Sequence, residues 1–361
     1  MNPNGSTELQ AVIGYPSHES GRDTLMASFR DIRAMSQSRI LEDLSRFGPE
    51  APDTGGGLSV FEARKKASEL ARTHRENFSV LTRLVPTDVR DDFAAVYAFC
   101  RTADDLGDEI GDPQRARELL AWWREEIDRA WNGDPGHWVF IALGPTIERF
   151  ELEPEPFLDL VSAFEQDQEV TRYQTWDQLL DYCRRSADPV GRLVLALLEQ
   201  PVNEEIARRS DAICTALQLT NHWQDASRDL LERDRIYLPA EMIEIADFER
   251  RFRASAEQGW SIDADFLGES RELIRACVER TWPLFESGSE LPGMLDARAA
   301  PVIRTLAAGG IRVLRLVEDW DYETVLHRPS LSASAKLGIL LRAWWNTRAS
   351  RRSESPTRSA S

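Results

Sequence analysis

From Val60 to Trp345 the apolar residues of this chain return at intervals of three and four, and period-two alternation is scarce. That pattern places side chains on one stripe of a helix and points to an all-α fold. Ser59-Val60-Phe61-Glu62 is a capping box, and Val60, Ala63, Ala67 and Leu70 follow it at helical spacing. A second helix is expected from near Thr87 to Gly111-Asp112-Pro113, carrying Phe93, Tyr97, Arg101, Asp104 and Asp108 on one stripe. Further helices are expected near residues 114–131, 156–169, 176–198, 203–231, 267–286, 299–319 and 331–346. No fixed-period repeat divides them.

The 361 residues exceed a typical domain, yet large helical enzymes build one core at this size. Residues 1–57 mix polar residues with Pro and Gly and end in Thr54-Gly55-Gly56-Gly57, and residues 347–361 are rich in Ser and Arg. Both ends read as disordered, which leaves one domain over 58–346.

Acidic residues outnumber basic ones by 61 to 44, a formal net charge of −17, which repels nucleic acid. Cys100, Cys183, Cys214 and Cys277 are widely separated inside helical patterns, so free thiols in a reducing cytoplasm fit better than a disulfide framework or a zinc site. No apolar run reaches the roughly 18–20 residues that cross a bilayer. The expectation is a cytoplasmic protein, at most peripheral at the inner face of the membrane. Leu337–Leu341, Trp344 and Trp345, with the arginines after them, read either as a terminal core helix or as an interfacial one.

Asp104 and Asp108 stand four apart, one above the other on a helix whose stripe is otherwise apolar or aromatic. About 120 residues later Gln218, Asn221, Asp225 and Asp229 follow a 3, 4, 4 spacing on one expected helix face. A single such Asp pair in an acidic chain reads as a solvated helix face, whereas two pairs, each flanked by Arg within apolar helix, call for a positive partner. Carboxylate oxygens in a chain with only five His select a hard cation such as Mg²⁺, which shares its shell with substrate phosphates. Two facing pairs would clamp one diphosphate. Gln218 and Asn221 either donate to that diphosphate, complete the metal shell, or make an ordinary helix-to-helix hydrogen bond. His74 and His222 have no second His at metal-ligand spacing, and His222 reads as packed beside the second cluster.

Around the two clusters lie Asn77-Phe78-Ser79 with Leu84-Val85-Pro86, Tyr97-Ala98-Phe99-Cys100-Arg101, Tyr182-Cys183 with Pro189-Val190-Gly191-Arg192-Leu193, and Arg235-Ile236-Tyr237-Leu238-Pro239. In this order, over roughly residues 74–240, the set resembles the squalene/phytoene synthase family. ENFSVLTRLVP, ADDLGDE and SADPVGRLVL are most similar to the bacterial hopanoid-pathway branch that converts presqualene diphosphate to hydroxysqualene.

The resemblance implies a class I isoprenoid synthase: one helical bundle around a deep apolar cavity, with the Asp-rich helices facing each other at its polar mouth. It assigns metal binding to Asp104, Asp108, Asp225 and Asp229, with Asp105 as an outer helper. Arg75 and Arg101 match diphosphate-contacting positions, although Arg75 alone also reads as a surface ion pair, and Arg235 joins them as a substrate-binding residue. Tyr97, Tyr182 and Tyr237 match aromatic positions of the reaction cavity, Tyr182 in a catalytic role, while core packing is an equal reading for Tyr97. Ala187 and Gly191 are expected to let an isoprenoid chain approach the backbone. Gly107 and Asp188 depart from the residues usual at those positions, commonly Ala or larger and Asn.

The implied chemistry is ionisation of a prenyl diphosphate, with magnesium and arginine neutralising the leaving group. For hydroxysqualene one positioned water captures the cation and no NADPH is required, whereas a squalene synthase needs hydride from a nicotinamide; no GxGxxG fingerprint is present. Head-to-head farnesyl diphosphate condensation to squalene, presqualene diphosphate or phytoene stays open, as does a noncatalytic scaffold of the same fold. Implied partners are the enzymes that supply presqualene diphosphate and reduce hydroxysqualene.

Overall fold

A computed structural model describes residues 37–52, 58–73 and 85–330. The chain divides into two compact units, Met1–Ala51 and Pro52–Ser361. Within the first, residues 37–47 are helical, where the sequence suggested a tail. The expected helix at 331–346 lies outside the described residues, as do Arg75, His74 and the Asn77-Phe78-Ser79 motif.

The second unit is all-helical. In chain order its helices are α1 (Val60–Thr73), α2 (Arg90–Asp108), α3 (Pro113–Trp131), α4 (Trp138–Phe150), α5 (Glu155–Gln166), α6 (Trp176–Ser186), α7 (Asp188–Leu197), α8 (Glu204–Gln224), α9 (Ala226–Arg233), α10 (Phe248–Gln258), α11 (Ala264–Gly288), the single turn α12 (Leu291–Met294) and α13 (Ala300–Asp319). The capping box forms reciprocally: Glu62 N–H donates to Ser59 Oγ at 3.3 Å and Ser59 N–H to Glu62 Oε2 at 3.0 Å. Asp112 caps α3, accepting from Gln114 N at 2.9 Å ahead of Pro113 at the first turn.

Three expectations change. The helix expected at 176–198 is two, broken at Ala187 (φ −127°, ψ −47°). Pro189 lacks an N–H and stands in the first turn of the new helix, where none is needed. The helix expected at 203–231 is also two, α8 and α9, joined at Asp225 (φ −100°, ψ 11°). Helices α4 and α10 were not anticipated; α4 carries Gly144-Pro145 in its middle, a pair that reads as a breaker.

Helix α8 is the central post, packing on α6, α7, α11 and α13, while α2 packs on α1, α3, α4 and α5. Between α7 and α8 the approach is close enough that a Cβ on Gly191 would lie 2.5 Å from Ser210 Oγ and 2.6 Å from Cys214 Sγ. Gly191 therefore serves helix packing, not the approach of an isoprenoid chain as expected. A buried Asp92 ties α1, α2 and α4, accepting from Arg64 at 2.6 Å, Thr146 at 2.8 Å and Arg149 at 2.9 Å. All four cysteines are free thiols.

The only strand-like element among the described residues is an isolated parallel bridge, Arg172 to Ile236. Ile236 N–H donates to Thr171 O at 2.9 Å and Ala240 N–H to Tyr173 O at 2.8 Å. These bonds lay the segment after α9 along the segment between α5 and α6, and so bring the residues around Tyr237 to those around Asp167.

Candidate active site

The first aspartate cluster sits in the last turns of α2. Asp108 is partly buried, and both of its oxygens meet arginines from beyond the second cluster: Arg235 Nη1 at 2.9 Å and Arg233 Nε at 2.8 Å. Asp104 is more exposed and pairs with Arg101 at 3.1 Å, while the buried Asp105 holds the other arm of Arg101 at 2.5 Å. Asp105 thus fixes an arginine. Loss of hydration among the surrounding side chains, with the like charge of Asp108 added, pushes the Asp104 carboxyl up to about 7.

The second cluster straddles the α8–α9 break. The bend does not separate its members, because Asp225 N–H still donates to Asn221 O and Asp229 N–H to Asp225 O, both at 2.8 Å. Asp225 is paired with Arg328, and with Arg228 at 3.4 Å. Burial, and then the charge of Asp225, pushes the Asp229 carboxyl up to about 8. Gln218 is half-buried and Asn221 exposed, and neither amide has a hydrogen-bond partner among the described residues. The helix-to-helix hydrogen bond considered for them is therefore not formed there.

Beneath the charged groups lies an aromatic cluster. Tyr182 packs against Tyr173 at 5.5 Å and Tyr237 at 5.7 Å between centroids, and His222 stacks on Tyr237 at 3.7 Å. At its centre is Asp167, a buried carboxylate that the sequence reading did not select. Tyr182 Oη donates to Asp167 Oδ2 at 2.8 Å and Tyr237 Oη to Asp167 Oδ1 at 3.4 Å. Arg235 donates to the Asp167 carbonyl at 3.2 Å and lies 3.7 Å from Oδ2. Burial, opposed by Arg235, pushes the Asp167 carboxyl up to about 6, and burial raises both tyrosines well above their ordinary range. His222 is driven down to about 3 by burial, so its imidazole is neutral. A small pocket is lined by His222, Ala226, Asp229, Arg235, Ile236, Tyr237, Leu238 and Phe252. It joins the second aspartate cluster to the aromatic one.

Of the residues expected at the site, the structure unites Arg101, Asp104, Asp108, Tyr182, Asp225, Asp229, Arg235 and Tyr237. Tyr97 is half-buried on α2, one turn before Arg101. Gly107 lies where α2 meets the end of α5; Gln168 donates to its carbonyl at 3.1 Å, and a Cβ there would stand 3.3 Å from that amide.

Comparison with known proteins decides the family. The model of squalene/phytoene synthases matches residues 71–335. This chain belongs to the squalene/phytoene synthase family.

As a squalene/phytoene synthase it is 31% identical over 264 residues to the hydroxysqualene synthase of Rhodopseudomonas palustris, covering 71% of this chain and 85% of that one. It is 37% identical over 172 residues to the hydroxysqualene synthase of Zymomonas mobilis, covering 47% of this chain and 56% of the relative. Among solved structures, squalene synthase HpnC from Alicyclobacillus acidocaldarius superposes with a TM-score of 0.62 at 39% identity, over 73% of this chain and 95% of that one. A dehydrosqualene synthase superposes at 0.66 with 21% identity, over 80% and 98%, a likeness of fold alone.

Beside the expected residues, the structure of this squalene/phytoene synthase brings four that were not anticipated: Asp167, Tyr173, Arg233 and Arg328. Asp167 stands in Glu165-Gln166-Asp167-Gln168-Glu169, which reads as a solvated helix end. Arg233 carried a weak signal, since it lies two residues before Arg235 in a charged run. Arg328 is brought in by the chain after α13, where Gln224 Nε2 donates to Pro329 O at 2.6 Å and Ser227 N–H to Thr324 O at 3.3 Å.

The donor chemistry fits a hard divalent cation. Asp104 beside Asp108, and Asp229 beside Asp225, are oxygen pairs in which one carboxyl is raised partly by the other's charge, a repulsion that a shared cation removes. Among the described residues no three His, Cys, Asp or Glu side chains converge on one metal position. No helix among them is long and apolar enough to cross a membrane.

Proposed function

We propose that this enzyme converts presqualene diphosphate to hydroxysqualene: the carbon–oxygen bond to diphosphate breaks, the carbon skeleton rearranges, and one water supplies the hydroxyl as a proton is lost. The observation that carries the reading is the salt bridging of Asp108 by Arg233 and Arg235. The same two arginines act electrostatically on Asp229, and Arg235 reaches Asp167, the partner of Tyr182 and Tyr237, which supports reading the two aspartate clusters as one charged mouth beside the tyrosine pair. The hydroxysqualene synthases among the relatives support the choice of reaction.

Asp104 and Asp108 on one side, and Asp225 and Asp229 on the other, would hold Mg²⁺. The bound ion supplies charge neutralisation for the departing diphosphate. Arg101, Arg233, Arg235 and Arg328 would meet diphosphate oxygens, each already held by a carboxylate that limits its reorganisation as charge develops. The tyrosine faces offer quadrupolar stabilisation to a carbocation, and their buried setting keeps bulk water away. Neutral His222 avoids placing a second positive charge against the cation.

The test is product analysis with purified protein, Mg²⁺ and presqualene diphosphate, and separately farnesyl diphosphate, each with and without NADPH. Hydroxysqualene from presqualene diphosphate without NADPH, abolished by chelation with EDTA and reduced at least a hundredfold in Asp104→Asn or Asp225→Asn, is the expected result. Squalene formed only with NADPH, or a condensation product from farnesyl diphosphate, overturns the assigned reaction. A folded protein that releases no diphosphate overturns catalysis altogether.

A further inference from the structure

The buried carboxylate at the end of α5 has no task in the mechanism above, yet it touches three groups that do. We propose that Asp167 is a positioning residue that sets the hydrogen-bond polarity of Tyr182 and Tyr237, so that both phenolic oxygens meet the reacting cation or its incoming water as acceptors. This inference rests on the proposed reaction.

Each phenol has one proton and two lone pairs. Asp167 takes the proton of Tyr182 at 2.8 Å and that of Tyr237 at 3.4 Å, one on each carboxylate oxygen. With both protons so committed, the only capacity either oxygen has for a further partner is its lone pairs. That polarity suits a site where positive charge develops on carbon, because an O–H turned toward a carbocation repels it and a lone pair attracts it. It equally suits a water whose proton must leave as its oxygen bonds to carbon.

The two phenols hold the carboxylate, one on each oxygen, and Arg235 ties down the backbone that carries it. Arg235 donates to the carbonyl of the same residue at 3.2 Å and lies 3.7 Å from Oδ2, while its Nη1 reaches Asp108 at 2.9 Å. The bridge from Arg172 to Ile236 fixes the two backbone segments that carry Asp167 and Tyr237. The aromatic wall and the charged mouth are therefore set by one residue, through hydrogen bonds in which it is acceptor throughout. A carboxamide of the same shape breaks that uniformity: it accepts through oxygen but donates through nitrogen, and turns one hydroxyl around.

The experiment combines kinetics with a probe of the hydroxyls themselves. In Asp167→Asn the kcat with presqualene diphosphate falls about tenfold to a hundredfold with KM within about threefold, the range expected when the partner that orients a working group is lost. Adding Tyr182→Phe to Asp167→Asn costs much less than Tyr182→Phe costs alone, because both act through one hydroxyl. Protein labelled with ¹³C at the tyrosine Cζ, which has six tyrosines to resolve, shows the Tyr182 and Tyr237 resonances moved in Asp167→Asn and the others in place. Should Asp167→Asn fail to fold, Tyr182→Phe is read for displacement of the Tyr237 resonance, which shares the carboxylate. Wild-type kcat in Asp167→Asn, additive losses in the double variant, or unmoved Cζ resonances overturn the assignment. If wild-type protein leaves presqualene diphosphate untouched, the substrate reading is overturned, and the resonances by themselves then decide the polarity of the hydroxyls.

Discussion

Two aromatic clusters lie in the same bundle and are built on different principles. Between α2, α3, α4 and α5, Phe99 meets Phe157 edge-on at 4.9 Å and Phe140 at 5.8 Å, and Trp123 lies 4.7 Å from Phe140. All four are fully buried and carry no hydroxyl. The second cluster, Tyr173, Tyr182, His222 and Tyr237, is nearly as buried but encloses three hydroxyls, an imidazole and the Asp167 carboxylate. Burying those groups costs desolvation that their hydrogen bonds only partly offset. The first arrangement owes its packing chiefly to dispersion and the hydrophobic effect, with the imidazole of His137 packed on Trp123 at 4.8 Å as its polar neighbour. The second is retained because the site above it needs oriented dipoles, so stability should depend mainly on the first cluster and turnover on the second.

Phe157→Ala is the strongest test of that division. It should cost about 3–5 kcal/mol of folding stability, read by urea denaturation, while the fraction that remains folded keeps its kcat. A variant of normal stability but without turnover would break the comparison.

A smaller effect is expected at Asp188, a buried carboxylate outside both clusters that accepts from Thr215 at 2.9 Å. Burial, with Asp211 adding, raises its carboxyl from 3.8 to about 7. Between those pH values the folded chain binds a proton that the unfolded chain has released, so stability falls as pH rises through that window. Asp188→Asn removes the dependence and should gain about 2–4 kcal/mol at pH 8 with little change at pH 4. Denaturation midpoints at the two pH values read the slope; an unchanged slope would mean that Asp188 is not the group responsible.

Tyr173→Phe should have the smallest consequence and sharpen the distinction within the second cluster. Its hydroxyl accepts from Gln166 at 3.4 Å and makes no hydrogen bond to Asp167. Stability should change by no more than about 1 kcal/mol, and kcat should stay within about twofold of wild type, measured beside Tyr182→Phe. An equal loss of turnover in both would show that any hydroxyl of the cluster matters, not only those oriented by Asp167.

Much of this was legible in the residues alone. The all-helical architecture follows from a period that only helices satisfy, and α3, α11 and α13 lie within a few residues of where spacing and caps put them. The two Asp pairs and the motifs around them sufficed to identify the family, because four residues of backbone rise place carboxylates together wherever a helix forms. Spacing failed where a helix breaks. It ran α6 into α7 and α8 into α9, since a kink such as Asp225 keeps its i, i+4 hydrogen bonds and leaves no mark in periodicity.

Contacts between distant segments were decided only by tertiary structure. Asp167 looks like one more charge at a solvated helix end until the strand-like bridge and Arg235 bring the segment after α9 against it. Arg328 reaches Asp225 across 103 residues of chain, and Arg235 reaches Asp108 across 127. Local sequence encodes the period and caps of each helix because those interactions close within one turn. Which carboxylate an arginine meets, and whether a glycine faces a substrate or a neighbouring helix as Gly191 does, depends on how the helices pack.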